Sequence, residues 1–208
     1  MIAYTIEAAN NSKLLDRVIV STDSEAIAEV AIKFGAEVPF LRPQNISMDD
    51  TPDQPVMAHM IEWLQNNENY SFDLLAYLRP TTPFKTATFI DNAIKYIQRD
   101  QIFSSVRSVT KAEGVFHPFW MYKKNNNVLQ SFIDNVDISK YYQSQLLPSC
   151  YRLNGVIDVL RRAEIINNKL NPYGRKIGAF VIDEKYSIDI DNEFDLLLCE
   201  FILRNNVI

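Results

Sequence analysis

The chain has 208 residues, 47% of them hydrophobic, and a formal charge of −5 at pH 7, which suits one sizeable core in a single domain and excludes a disordered chain. The acidic balance disfavours nucleic-acid backbones, no apolar run reaches the roughly 18–20 residues of a membrane span, and no charged-then-apolar signal opens the chain. Cys150 and Cys199 are too few for a disulfide scaffold and, with two distant histidines, lack zinc-ligand spacing, so a cytoplasmic protein without nucleic-acid or membrane partners is expected.

In chain order, the β-branched run Arg17–Ser21 predicts a strand, and Glu25–Phe34 a helix capped by Asp23 or Ser24. Pro43 forces Arg42 into an extended conformation, which projects its guanidinium from a loop as an anion ligand or a solvated arginine. His59, on an apolar helical pattern with Ala58, Ile61 and Trp63, reads as structural. Leu74–Leu78 predicts a second strand, followed by Arg79-Pro80-Thr81-Thr82-Pro83, where two prolines bracket two hydroxyls. Such a rigid turn positions Arg79 and the backbone N–H groups of Thr81 and Thr82 with little ordering entropy. A helix over Ala87–Gln98 and strands over Ser104–Val109 and Ile177–Ile182 complete an alternation that predicts an α/β fold with a mainly parallel sheet. Between them, residues 111–145 break the rhythm with a polar lysine–asparagine run and aromatic clusters at His117–Trp120 and Tyr141–Tyr142. That stretch reads as an inserted arm packed on a partner subunit. Tyr151-Arg152-Leu153-Asn154-Gly155 reads as a tight turn or a close ligand approach. Arg42, Arg79, Lys85, Arg107 and Arg152, set in or beside loops, are the candidate cations for small anionic substrates.

The most informative stretch is Tyr186–Asp195, where Asp189 and Asp191 precede an apolar helix over Glu193–Arg204. In an extended segment alternate side chains share a face, and two such carboxylates suit a magnesium ion that keeps its waters and binds substrate phosphates. Asp191 as the N-cap of the helix is the competing reading.

Together and in this order, Ile2–Ala9, Val20–Ser24, Leu41-Arg42-Pro43, Leu78–Pro83, Asn154-Gly155 and Ser187–Asp191 resemble the acylneuraminate cytidylyltransferases, which activate acidic nine-carbon sugars with CMP. The resemblance implies a Rossmann-like fold, CTP and an acidic nonulosonate as substrates, and Mg2+ held by Asp189 and Asp191. It implies Arg42 on the nucleotide side and Arg79, Thr81, Thr82, Asn154 and Gly155 facing the sugar, with Gln145, Tyr151 and Arg152 as further substrate contacts. It also implies a homodimer in which the arm completes the partner's sugar site.

Three departures concern the sugar: Arg79 stands where glutamine is common, Ser144 where an arginine is expected, and Asp158 where an aromatic is common. They suit N-acetylneuraminate or another nonulosonate such as legionaminate, whose carboxylate Arg79 or Arg152 would meet. A larger departure is that Met1–Tyr4 matches the helix after the family's first strand and glycine-containing phosphate loop, so both are expected to be absent here. Loss of a central strand predicts two unpaired edges, an open groove, reduced stability and little or no transferase activity. The alternative is a non-catalytic relative that binds an acidic sugar or pairs with an intact subunit.

Overall fold

The computed structural model describes residues 1–168 and 170–208. Its centre is a four-stranded sheet in the order β1 (Leu74–Tyr77), β5 (Tyr151–Arg161), β2 (Ser105–Lys111), β6 (Ile177–Val181). β2 and β6 are parallel, but β5 runs antiparallel to both β1 and β2. The α/β class holds, whereas the expected mainly parallel sheet is corrected to a mixed one. The cause is β5 itself. Tyr151–Gly155, expected as a tight turn, opens an eleven-residue strand. Gly155 has φ +67° within it, and the pairing with β2 slips between Arg107 and Val109, so the turn-like residues form a bulge inside a strand.

Helix α4 (Ala87–Arg99), capped by the Thr86 hydroxyl on the Phe89 N–H, buries Ile90, Ala93, Ile94 and Ile97 against Val106, Val156 and Val159 of the sheet. Helix α3 (Asp53–Glu68) packs Met57, Met60, Ile61 and Leu64 with Leu160 and Ile165, the latter from the short α5 (Arg162–Asn167). His59 stacks edge-on against Phe40 in that layer, a packing role. Helix α6 (Glu193–Arg204) places Cys199 and Ile202 beside Phe84, Ile188 and Ile190. Residues 112–150 leave the sheet end, form the exposed hairpin β3 (Tyr122–Asn125) and β4 (Val128–Ser131), and return where the Ala112 N–H donates to the Cys150 carbonyl.

Residues 17–21, expected as a strand, do not form one: only isolated parallel bridges join Ile19 to Glu37 and Thr22 to Leu41. Helices α1 (Ile2–Asn10) and α2 (Glu25–Lys33) flank this segment, with Ile6 and Ala31 sharing a small core beside Val18 and Val20. The backbone shows why the ladder stops. Val18, Val20 and Thr22 spend their groups on Glu37 and Arg42, which turns those of Ile19 and Ser21 the other way. β1 is open in the same sense. The Arg162 N–H donates to the Asp73 carbonyl, so Leu75 and Tyr77 face β5 while Leu74 and Ala76 face outward. These two backbone rows, unpaired among the described residues, line a cavity of about 730 Å3 together with Ile2, Ile6 and Met57. Arg17 bonds Glu68 and lies over the Tyr70 ring at one end, while Arg42 and Arg79 line the other, so both rows run the same way.

Candidate functional site

The carboxyl ends of β1 and of segment 17–22 point toward one edge of the molecule, where open α/β sheets hold their ligands. The turn after β1 is built first from its prolines and then from a buried cation. Lys85, 5% exposed, donates from Nζ to the Arg79 carbonyl at 2.7 Å, to Thr82 Oγ1 at 2.9 Å and to Thr5 Oγ1 at 3.1 Å, with the Thr82 carbonyl nearer still. Burial pulls this ammonium from 10.5 down to about 7, opposed by the charge of Asp189. Thr82 is fully buried, its hydroxyl within 3.4 Å of the Gly155 carbonyl.

Gly155 is the meeting point. A Cβ there would lie 3.8 Å from Arg79 Cδ, 3.8 Å from Asp189 Oδ2 and 3.9 Å from Thr82 Cγ2. The Ile190 N–H donates to the Thr81 carbonyl at 2.9 Å, which pins the aspartate segment to the turn. Ile188 and Ile190 pack toward α6, and alternation turns the exposed Asp189 and Asp191 to the opposite face. Neither carboxylate accepts a hydrogen bond or ion pair from any described residue. The cap of α6 is Asn192, whose side chain accepts from the Phe194 and Asp195 N–H groups, while Asp195 accepts from the Asp191 and Asn192 N–H groups. Asp191 as N-cap is therefore corrected, and its carboxylate is free.

Arg79 differs from the free cation expected of it. Its guanidinium donates to Asp53 at 2.6 Å and to Asp158 at 3.1 Å and lies over the Tyr77 ring. Arg107, expected beside a loop, sits within β2, bonds both oxygens of Asp158 at 3.1 Å and stacks 3.8 Å over Tyr173. Tyr173 and Tyr77 complete the network by donating to Asp53. Burial depresses the Arg79 pKa, but Asp158, Tyr173 and Asp53 outweigh it and hold the group above the ordinary arginine value. Burial also lifts Tyr173 to about 12 and Tyr77 higher, so both phenols stay neutral donors.

Other expected contacts are dispersed. Arg42 donates from Nε to Ser47 at 2.9 Å and lies 3.6 Å from Asp23, at the groove's site end. Asn154 is buried and its amide is spent inside the sheet on Ser108, Thr110 and the Val156 N–H. Tyr151 is half exposed at the start of β5, and Arg152 turns toward Glu184 at 3.5 Å and the Phe116 ring, its buried Nε without a partner. Gln145 bonds Gln143 on the exposed arm and does not join the others. Asp53, Tyr77 and Tyr173 escaped sequence reasoning. The only signal was Asp53 and Asp158, carboxylates beside apolar runs, which a buried arginine must answer.

A free carboxylate, Asp189, thus stands beside Gly155 and a proline-braced turn, with Asp191 exposed two residues on, at an edge of the kind where open α/β sheets hold ligands. The cytidylyltransferase family profile matches residues 1–201. This chain belongs to the cytidylyltransferase family. It is 32% identical over 205 residues to a CMP-N,N'-diacetyllegionaminic acid synthase of Campylobacter jejuni, covering 98% of this chain and 83% of that one. It is 32% identical over 201 residues to an N-acylneuraminate cytidylyltransferase of Escherichia coli, 95% of this chain but 44% of that protein. A flagellin modification protein B of Campylobacter coli is 29% identical over 98% of this chain and 84% of its own. The structure of a CMP:2-keto-3-deoxy-manno-octonic acid synthetase complexed with CTP superposes with a TM-score of 0.70, covering 99% of this chain and 88% of that one. At 11% identity it carries the fold alone.

Proposed function

We infer that this cytidylyltransferase transfers CMP from CTP to an acidic nine-carbon sugar, N-acetylneuraminate, legionaminate or a similar nonulosonate, with release of pyrophosphate. The observation that carries the reading is the unpartnered carboxylate of Asp189 beside Gly155, on a segment pinned to the Arg79–Thr82 turn through Ile190, with the exposed Asp191 two residues on. Hard oxygen donors in that number fit Mg2+, which would neutralise charge on the α-phosphate and the leaving pyrophosphate. Gly155 leaves room for the sugar to approach the turn, whose partly exposed residue Thr81 is braced by the buried Thr82 behind it. Arg79 is neutralised by two carboxylates, so Arg152 is the better partner for the sugar carboxylate. Arg42 stands on the nucleotide side.

The exposed apolar residues of the arm, Val115 at 76% and Tyr142 at 71% among them, support a homodimer in which the arm meets the partner. A cytoplasmic location suits a CTP-dependent reaction. The rate is expected to be low. Arg42 and Arg79, the arginines at the groove's site end, already bond Ser47 and Asp53, which leaves them less available to a triphosphate. That same feature favours a second reading, a non-catalytic relative that binds the sugar or pairs with an intact subunit.

Replacing Asp189 or Asp191 by asparagine separates the two. The transferase reading expects CMP-sugar formation to fall about 100-fold or more with the fold retained, because both side chains are exposed and accept no hydrogen bond or ion pair from a described residue. The binding reading expects sugar affinity without CTP and no nucleotide-dependent product from either variant or parent.

A further inference from the structure

Behind the Arg79–Thr82 turn lies a buried cation that the proposed chemistry does not use. The Lys85 ammonium has three protons and four oxygen neighbours, which is a filled shell. No carboxylate of the described residues is within ion-pair distance of it. Burying a cation without an anion in contact is costly, here offset by these four oxygens and by the more distant charge of Asp189, and a methionine of similar length would shed that cost while leaving the oxygens without this donor. What the ammonium contributes instead is geometry. It draws together the carbonyls of Arg79 and Thr82 and the hydroxyls of Thr5 and Thr82, which belong to the turn and to α1. From that knot two links run outward. Thr82 Oγ1 reaches the Gly155 carbonyl at 3.4 Å, and the Thr81 carbonyl receives the Ile190 N–H at 2.9 Å, one residue past Asp189.

We propose that Lys85 is the positioning residue of this site: its ammonium fixes the Arg79–Thr82 turn against Gly155 and Ile190, and thereby sets where Asp189 stands relative to the bound sugar. It acts through Thr82 and through the Thr81–Ile190 hydrogen bond and touches no substrate. The functional half of the claim rests on the transferase reading above; the geometric half does not. Methionine at position 85 keeps the stem and deletes the donors, whereas arginine restores charge and donors. A merely structural lysine would change global stability and leave the relation between turn and aspartate segment intact once the protein is folded.

The test combines residue-resolved hydrogen exchange with CMP-transfer kinetics on the full 208-residue chain, the exchange being run at about pH 6, where the ammonium is charged. In Lys85→Met the Ile190 N–H should exchange at least about tenfold faster while the Val106 N–H in β2 keeps its rate, and Lys85→Arg should recover most of the protection. The kcat for sugar-dependent transfer should fall about tenfold or more in Lys85→Met with the KM for CTP within about twofold. Unchanged protection at Ile190, or equal acceleration at Ile190 and Val106, would overturn the proposal. So would a loosened Ile190 with kcat unaltered. If Lys85→Met does not fold, Thr82→Val deletes the hydroxyl shared by Lys85 and Gly155 at nearly constant volume and is held to the same outcomes. A parent chain that forms no CMP-sugar would sink the transferase reading, and the exchange comparison alone would then judge Lys85.

Discussion

Asp158 is the residue on which the polar side of the site turns. Its carboxylate is 2% exposed and answers Arg79, Arg107 and Tyr173 together. Asp158→Asn removes the charge and leaves two half-buried guanidinium groups competing for Asp53, so the expected cost is about 3–5 kcal/mol, read from the urea midpoint. A loss under about 1 kcal/mol would show that the network is solvated in solution. Lys85 makes a second prediction, and its sign is opposite to that of an ordinary ion pair. Its folded pKa lies near 7, below the unfolded 10.5. Below pH 7 both states hold the proton and burial costs its full amount. Between about 7 and 10.5 the unfolded chain binds the extra proton, so stability rises with pH in that window. The melting temperature of Lys85→Met relative to the parent should therefore be higher at about pH 6 than at about pH 9.5, as scanning calorimetry would show; the same difference at both would contradict the shifted pKa. Asp189 and Gly155 stood out as motif residues, and the structure brings the two together. The engagement of Arg79 was not legible, because its partners Asp53 and Asp158 lie 26 and 79 positions away and nothing local marks a long-range ion pair.

Among the elements, the span of α6 was legible, but its cap was read one residue early, at Asp191 instead of Asn192. Asn192 and Asp195 make a reciprocal cap ahead of an apolar helical run, and both signals are local. The observed cap also decides against one of the two roles the sequence left open for Asp191. Asn192→Ala should cost about 1 kcal/mol, while Asp191→Ala should leave thermal stability unchanged, with both read as melting temperatures. A larger loss at Asp191 would return it to a structural role. β5 was not legible. Asn154, Gly155 and Asp158 interrupt its apolar pattern, and only pairing on both sides, with β1 and β2, makes those residues a strand. Residues 17–21 failed in the other direction. Their β-branched composition is that of a strand, yet a strand needs ladders, and this one has a partner on a single side.

At the scale of the whole molecule, the decisive feature is the groove between residues 18–22 and β1. It presents two backbone rows, unpaired among the described residues, and apolar walls in a cavity of about 730 Å3. A surface of that kind binds apolar dyes and invites edge-to-edge pairing. The native chain should therefore enhance anilinonaphthalene sulfonate fluorescence in buffer without denaturant, and absence of enhancement would mean that the groove closes in solution. The groove's site end carries Arg42 and Arg79, which ties its state to the chemistry beside it. The central claim is that this edge of the molecule performs CMP transfer. The most direct measurement is mass-spectrometric detection of CMP-sugar after incubating the purified chain with CTP, Mg2+ and an acidic nine-carbon sugar. The account predicts slow product formation, below the ~1 s−1 at the lower end of common turnover numbers, abolished by a chelator and by Asp189→Asn. No CMP-sugar with N-acetylneuraminate, legionaminate or pseudaminate after prolonged incubation, from a chain that remains folded, would contradict it.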